Sequence, residues 1–175
     1  MTNKKEFRKI DIHAHIMPET WDRLDEKYGY KGFIYLDDEP GTGAKKMMRD
    51  DGVFFRRVEQ NCYDPEKIIE DLDKNGVDMM TLCAIPVMFY YWAKPKHTLA
   101  WSQFLNDYFA KIQENYPDRL IGLGTLPMQD IDLAIKELER CKALGLPGVE
   151  IGSHIEDKNL DHPSFFPFWE AAQDL

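Results

Sequence analysis

Two histidines one residue apart, His13 and His15, close a strand-like opening, Arg8-Lys9-Ile10-Asp11-Ile12-His13-Ala14-His15. Side chains alternate along a strand, so both imidazoles leave from one face and Asp11 shares that face one step below. Paired neutral imidazoles suit a divalent cation, above all zinc, which takes histidine nitrogens at about 2.0–2.1 Å. Iron, cobalt and manganese also accept a mixed histidine and carboxylate set. A His-x-His pair also occurs as a polar strand end whose histidines hydrogen-bond to loops. The elements that follow bear on which reading holds.

Residues 19–60 read as an insertion after the first strand. They carry Tyr28, Tyr30 and Tyr35, a turn-rich Asp37-Asp38-Glu39-Pro40-Gly41-Thr42-Gly43, and two strand-like runs, 44–48 and 53–58, flanking Asp50-Asp51-Gly52. An Asp-Gly turn between such runs predicts a hairpin, and the segment as a whole a small β subdomain. From Asp64 the chain alternates. Ile68, Ile69 and Leu72 at helical spacing predict a helix over 65–74, stopped by Gly76, and the apolar run 79–85 predicts a buried strand. A loop over 86–95 precedes a helix from about 98 to 116, a strand over 120–126, a helix from the N-cap Asp130 to 143, a strand over 148–155 and a helix over 163–175.

Strands alternating with such helices imply parallel strands joined by right-handed crossovers, in a doubly wound sheet or a (β/α)8 barrel. No Gly-x-Gly-x-x-Gly loop follows the first strand, and ligands at a strand's carboxyl end suit a TIM barrel, whose sites gather on that face. The sequence holds four strand-plus-helix units, whereas a full barrel takes about 250 residues. Residues 1–175 therefore read as one incomplete α/β barrel domain, and the ending Glu170-Ala171-Ala172-Gln173-Asp174-Leu175 as a truncation.

The 175 residues, 43% hydrophobic and 13% aromatic, can build a core of their own. No apolar run approaches a membrane span, and the Lys/Glu-rich start, 1–9, lacks the apolar segment of a signal peptide, so a cytoplasmic protein is expected. Cys62, Cys83 and Cys141 are odd in number and widely spaced, which argues for reduced thiols. A net charge of −9 without a basic stripe argues against nucleic acid as a partner. An arginine facing a largely dry pocket still binds a small carboxylate, because local charge outweighs net charge there.

Asp11-Ile12-His13-Ala14-His15 resembles the first-strand metal motif of the amidohydrolase superfamily. Four longer segments, 55–65, 86–95, 122–129 and 146–154, resemble one branch of it, the 2-amino-3-carboxymuconate-6-semialdehyde decarboxylases, in order along nearly the whole chain. The resemblance implies a single divalent metal per subunit, usually zinc, held by His13 and His15, with a third histidine and an aspartate beyond Leu175. The acid–base histidine is also expected beyond residue 175, so the chain alone is expected to bind metal weakly and to be inactive. Many two-metal hydrolases of the superfamily carry a lysine on the fourth strand; Glu150-Ile151-Gly152-Ser153-His154 has none, which implies one metal.

Arg56 matches the family arginine that grips a substrate carboxylate, a task suited to a planar guanidinium, and Arg57 reads as solvated. In the loop over the metal face, Met88, Phe89 and Trp92 read as pocket walls or as packing, and His154 as a pocket wall or a structural hydrogen bond. Met47, Met48, Met79, Met80, Tyr108 and Phe109 read as core. The implied reaction is non-oxidative decarboxylation of 2-amino-3-carboxymuconate 6-semialdehyde to 2-aminomuconate 6-semialdehyde, in tryptophan (kynurenine) or 2-aminophenol breakdown, by a homodimer. Alternatives are a related mononuclear decarboxylase or hydrolase, and a short form without catalysis that acts as a binding or dimerisation partner.

Overall fold

The computed structural model describes residues 8–175, so most of the Lys/Glu-rich start lies outside the described residues. Strand β1 (Ile10–His15) leads into a short helix, α1 (Leu24–Tyr28), and then into a three-stranded antiparallel sheet of β2 (Ile34–Asp38), β3 (Lys45–Arg49) and β4 (Phe54–Val58) in that order. The β3–β4 turn is the Asp50-Asp51-Gly52 hairpin. Gly52 supplies its left-handed residue at φ 83°, and the Asp50 carboxylate accepts the backbone N–H groups of Gly32 and Phe33, which pins the turn to the entry of β2. Helix α1 was not expected. With Leu24 its one buried residue and Gly29 ending it after five residues, it is too short for a helical period to show.

Helix α2 (Pro65–Asn75) starts on Asp64, whose carboxylate accepts from the Glu66 N–H at 2.9 Å, and ends on the left-handed Gly76. It buries Ile68 and Leu72. After β5 (Met79–Cys83) and a 3₁₀ turn at Pro86–Met88, helix α3 (Pro95–Asn115) begins three residues earlier than expected, because Pro95 fills a first-turn position that needs no N–H. Strand β6 (Leu120–Gly122) and helix α4 (Ile131–Ala143), capped by Asp130 on the Leu133 N–H, complete the regular alternation.

Strands β1, β5 and β6 form a parallel sheet in chain order, and Val149 extends it through a parallel bridge to Gly124. Each strand joins the edge left by the one before. The strand expected over 148–155 is reduced to that bridge, in which Gly124 N–H donates to Gly148 O at 2.9 Å and Glu150 N–H to Gly124 O at 2.8 Å. Gly148 and Gly152 weaken the run as a strand, and the Gly152 N–H is taken by the Tyr91 hydroxyl at 3.0 Å instead of by a ladder. The chain then turns back, so that β7 (His154–Ile155) pairs antiparallel with β8 (Lys158–Asn159). A 3₁₀ turn at Pro163–Phe165 opens the last helix, α5 (Phe166–Asp174), where one continuous helix was expected.

Leu82, Leu105, Phe109, Leu120, Leu126 and Met128 are buried in a single apolar core that also takes in the expected Met47, with Tyr108 packed against it. Among these residues sits a polar knot. Asn106 donates to Thr125 O at 3.0 Å and to Glu137 Oε1 at 2.7 Å, and accepts from the Thr125 N–H at 2.7 Å. Arg140 adds its guanidinium to Glu137 at 2.9–3.1 Å. The knot fixes Thr125 and therefore Gly124, where an added Cβ would lie 2.6 Å from Cys141 Sγ. All three cysteines are free, and among the described residues no helix is long and apolar enough to cross a membrane.

Candidate metal centre

His13 and His15 stand at the carboxyl end of β1 with ring centroids 4.8 Å apart, edge to face. The strict alternation expected for β1 does not hold. Its register against β5 slips between Asp11 and Ala14, which places one extra residue in β1. Asp11 thereby leaves the histidine set, and its carboxylate accepts the His13 backbone N–H at 3.1 Å.

The residue that joins the two imidazoles is Glu150, one step beyond the Gly124–Val149 bridge. One ligand atom from each of His13, His15 and Glu150 lies within 4.8 Å of the other two. His13 Nδ1 and Glu150 Oε1 stand 3.7 Å apart. Glu150 is 16% exposed at its side chain, and its Oε2 is buried with no hydrogen-bond partner among the described residues. A buried carboxylate oxygen without a donor is costly, and a cation beside two imidazoles relieves that cost. The donor set therefore fits a divalent metal: three protein ligands of nitrogen and oxygen are what an open zinc site uses, and manganese accepts the same set.

Cys83 borders the centre, its thiol 3.2 Å from Ala14 O and 3.4 Å from His15 Nδ1. Burial first, and a hydrogen bond from the thiol to the Glu150 carboxylate second, push that thiol well above its ordinary range, so it stays protonated near neutrality.

The cluster opens into a cavity of about 650 Å³ lined by His13, Phe89, Tyr91, Trp92, Glu150 and His154 among others. Phe89 and Tyr91 stack at 5.3 Å, and burial raises the Tyr91 hydroxyl to about 12. Trp92 is half exposed and packs on Tyr30, Phe33 and Tyr90, which ties the segment ahead of β2 to the cavity rim. His154 is exposed at the rim, with Nδ1 3.1 Å from Ser153 Oγ. Met88 is absent from this wall; it is 1% exposed in the core, where its carbonyl accepts the Trp101 indole N–H at 2.9 Å.

Arg56 is not among the cavity's lining residues either. It is exposed on β4 opposite Met47. The turn that follows β4, Gln60–Cys62, abuts the end of β1, where the Cys62 carbonyl accepts from the Met17 N–H at 3.0 Å. Neighbouring Arg57 pairs with Glu39 and Glu59. A separate cavity of about 550 Å³ in the insertion is lined by charges that already satisfy one another, Lys45 with Asp38 at 2.6 Å and Glu19 at 3.6 Å.

Glu150 is the site residue that sequence reasoning missed. Its one signal was a lone carboxylate inside the apolar run Val149-Glu150-Ile151 at the end of a strand.

The amidohydrolase family profile matches residues 10–175. The chain is 49% identical over 95% of its length to 2-amino-3-carboxymuconate-6-semialdehyde decarboxylase of Dictyostelium discoideum. It is 39% identical over 95% of its length to the Caenorhabditis elegans protein of the same name. It covers 46% of each, and so spans about half the length of the curated relatives it matches. Among solved structures, 5-carboxyvanillate decarboxylase of Novosphingobium aromaticivorans DSM 12444, complexed with manganese and 4-hydroxy-3-methoxy-5-nitrobenzoic acid, superposes with a TM-score of 0.70 at 21% identity, covering 97% of this chain and 48% of that one. At that identity the likeness is one of fold. With an ordered parallel α/β sheet, histidines at the carboxyl end of its first strand and a family match over nearly every residue, the chain belongs to the amidohydrolase family.

Proposed function

We propose that this chain is the metal-binding half of a zinc-dependent, non-oxidative decarboxylase that converts 2-amino-3-carboxymuconate 6-semialdehyde to 2-aminomuconate 6-semialdehyde, in the cytoplasm, as a homodimer. It supplies the first four βα units of a (β/α)8 barrel, a single domain with residues 19–60 as an insertion. The observation that carries the reading is the clustering of His13 and His15 with an unpartnered Glu150 oxygen beside an aromatic cavity, in a chain 49% identical to a decarboxylase of that name. The bound manganese of the 5-carboxyvanillate enzyme supports a divalent ion.

His13 and His15 hold the ion, which when bound supplies the Lewis acidity that makes water ionisable near neutral pH. Phe89 and Trp92 offer flat faces to a conjugated substrate and keep bulk water from it. His154 lies at the rim, where a donor meets a substrate oxygen. Arg56, exposed on β4 outside the cavity, is the arginine this reading assigns to a substrate carboxylate by paired hydrogen bonds. The acid–base histidine comes from the rest of the protein.

The exposed position of Arg56 outside the cavity favours a second reading, a related decarboxylase of an aromatic acid. The test is to add the semialdehyde to the complete protein and follow its ultraviolet absorbance. Decay with release of one CO₂ per substrate supports the proposal; unchanged absorbance, with turnover of a hydroxylated benzoate instead, contradicts it.

A further inference from the structure

We infer that Tyr91 is a positioning residue of the cavity: its hydroxyl, bonded to the Gly152 N–H, ties the aromatic loop after β5 to the end of the fourth strand and so sets the width of the slot that receives a planar, conjugated acid. The inference deepens the functional reading above and rests on it for the substrate.

The loop is built to aim this one ring. Tyr90 is held at φ 52°, in the left-handed region that a bulky side chain rarely enters, and such a conformation persists only where its surroundings over-determine it. They do so here. The Tyr90 carbonyl accepts from Thr98 Oγ1 at 2.9 Å, its hydroxyl accepts from the Ile34 N–H at 3.2 Å, and its ring meets Phe33 at 5.0 Å and Trp101 at 5.7 Å. Gln129 grips the same turn, donating to Thr98 Oγ1 at 2.7 Å and to Ala93 O at 3.1 Å. Two adjacent rings part at this bend. Tyr90, 2% exposed, enters the core, and Tyr91 goes to the cavity wall.

There Tyr91 meets a glycine. The Gly152 N–H donates to its hydroxyl at 3.0 Å, while its ring stacks on Phe89 at 5.3 Å. A Cβ at position 152 would stand 3.0 Å from Tyr91 Cε2 and 3.0 Å from His154 O. Gly152 is not among the left-handed glycines, so closeness, not backbone conformation, is what keeps this position small. The bond thus joins two walls of one cavity: Phe89 lies two residues before Tyr91, and His154 two residues after Gly152. A hydroxyl placed by a strained turn and met by a close glycine fixes the distance between those walls, which is the service a substrate-orienting residue performs.

The experiment is steady-state decarboxylation of the semialdehyde by the complete protein, for wild type, Tyr91→Phe, Gly152→Ala and the double variant, with metal content, melting temperature and hydrogen–deuterium exchange of segment 149–154 measured on the same samples. Tyr91→Phe keeps the ring and removes the bond. Its KM should rise by about 10-fold, roughly the worth of one hydrogen bond, with kcat and metal content held within about twofold and segment 149–154 exchanging faster. Gly152→Ala wedges the same contact and should raise KM alike, and the double variant should be no worse than the worse single one, because both changes break one link. A Tyr91→Phe protein that melts lower with KM unchanged would make Tyr91 a packing residue and overturn the inference, as would additive effects in the double variant or unchanged exchange. Wild type inactive on the semialdehyde overturns the functional reading instead. The same comparison is then made on the hydroxylated benzoate of the second reading, and the same outcomes decide the role of Tyr91.

Discussion

Glu137 and Glu150 are two glutamates withdrawn from water 13 residues apart in the chain, and their surroundings differ in kind. Glu137, 1% exposed, receives Asn106 Nδ2 at 2.7 Å and the Arg140 guanidinium at both oxygens. Glu150 has one oxygen 3.7 Å from a histidine, the weak Cys83 thiol donor beside it, and an Oε2 that meets no geometric hydrogen-bond partner among the described residues. The first carboxylate joins α3 to α4 and holds Thr125 in place through Asn106. The second sits at the open end of the sheet that this arrangement supports. A buried carboxylate whose hydrogen bonds are all made is part of the scaffold, whereas one with an oxygen unmet leaves room for a further donor.

The comparison can be broken in four ways. Glu137→Ala should cost the most, about 3 kcal/mol in a urea unfolding curve, because it strands Asn106 in the core; Arg140, 30% exposed at its side chain, is partly rehydrated and adds less. A cost below about 1 kcal/mol would deny the knot its structural role. Zinc at a hundred times its dissociation constant should stabilise wild type by about 2.7 kcal/mol in thermal melts, reversed by chelation, and do nothing for His13→Ala/His15→Ala.

The third test is alkaline. Burial foremost, helped by the Glu137 charge, raises Cys141 beside the knot from 9.0 to about 12. The folded value lies above the unfolded one, so the contribution is complete below pH 9 and is lost as pH climbs toward 12. Cys141 should contribute up to about 1.4 kcal/mol per pH unit to the alkaline decline of unfolding curves across that window, and Cys141→Ala should lose that part while Cys83 and Tyr91, also raised by burial, keep theirs. The smallest effect is the most discriminating. Glu150→Leu should leave stability unchanged or raise it by up to about 1 kcal/mol, since it removes an unmet polar group; a loss above about 2 kcal/mol would make Glu150 a scaffold residue like Glu137.

Much of the scaffold was legible because periodicity and punctuation agree in it. Ile68 and Leu72 at helical spacing, the cap Asp130, the stop at Gly76 and the hairpin at Asp50-Asp51-Gly52 are local features with local causes. The pairing of His13 with His15 was legible for the same reason. The fourth strand was not, because strand formation depends on what lies alongside, and the Gly152 N–H bonds to Tyr91, 61 residues away. Met88 and Phe89 are neighbours of like character and both buried in the core, and only Phe89 also lines the cavity, a difference set by tertiary packing. Asp11 was misplaced by a register slip that leaves no mark in composition. Glu150 was passed over as the absence of a lysine, since a glutamate at a strand end ordinarily faces water, and the bridge to Gly124 that turns it inward is a tertiary fact.

The most direct test of the account is the metal content, by plasma mass spectrometry, of the longest expressible form of the protein, wild type beside His13→Ala/His15→Ala, with decarboxylation of the semialdehyde assayed on the same samples. The account predicts about one zinc per chain in the wild type, and loss of metal and activity together in the double variant. Decarboxylation by a protein that holds no metal, or metal retained at full occupancy without His13 and His15, would contradict it.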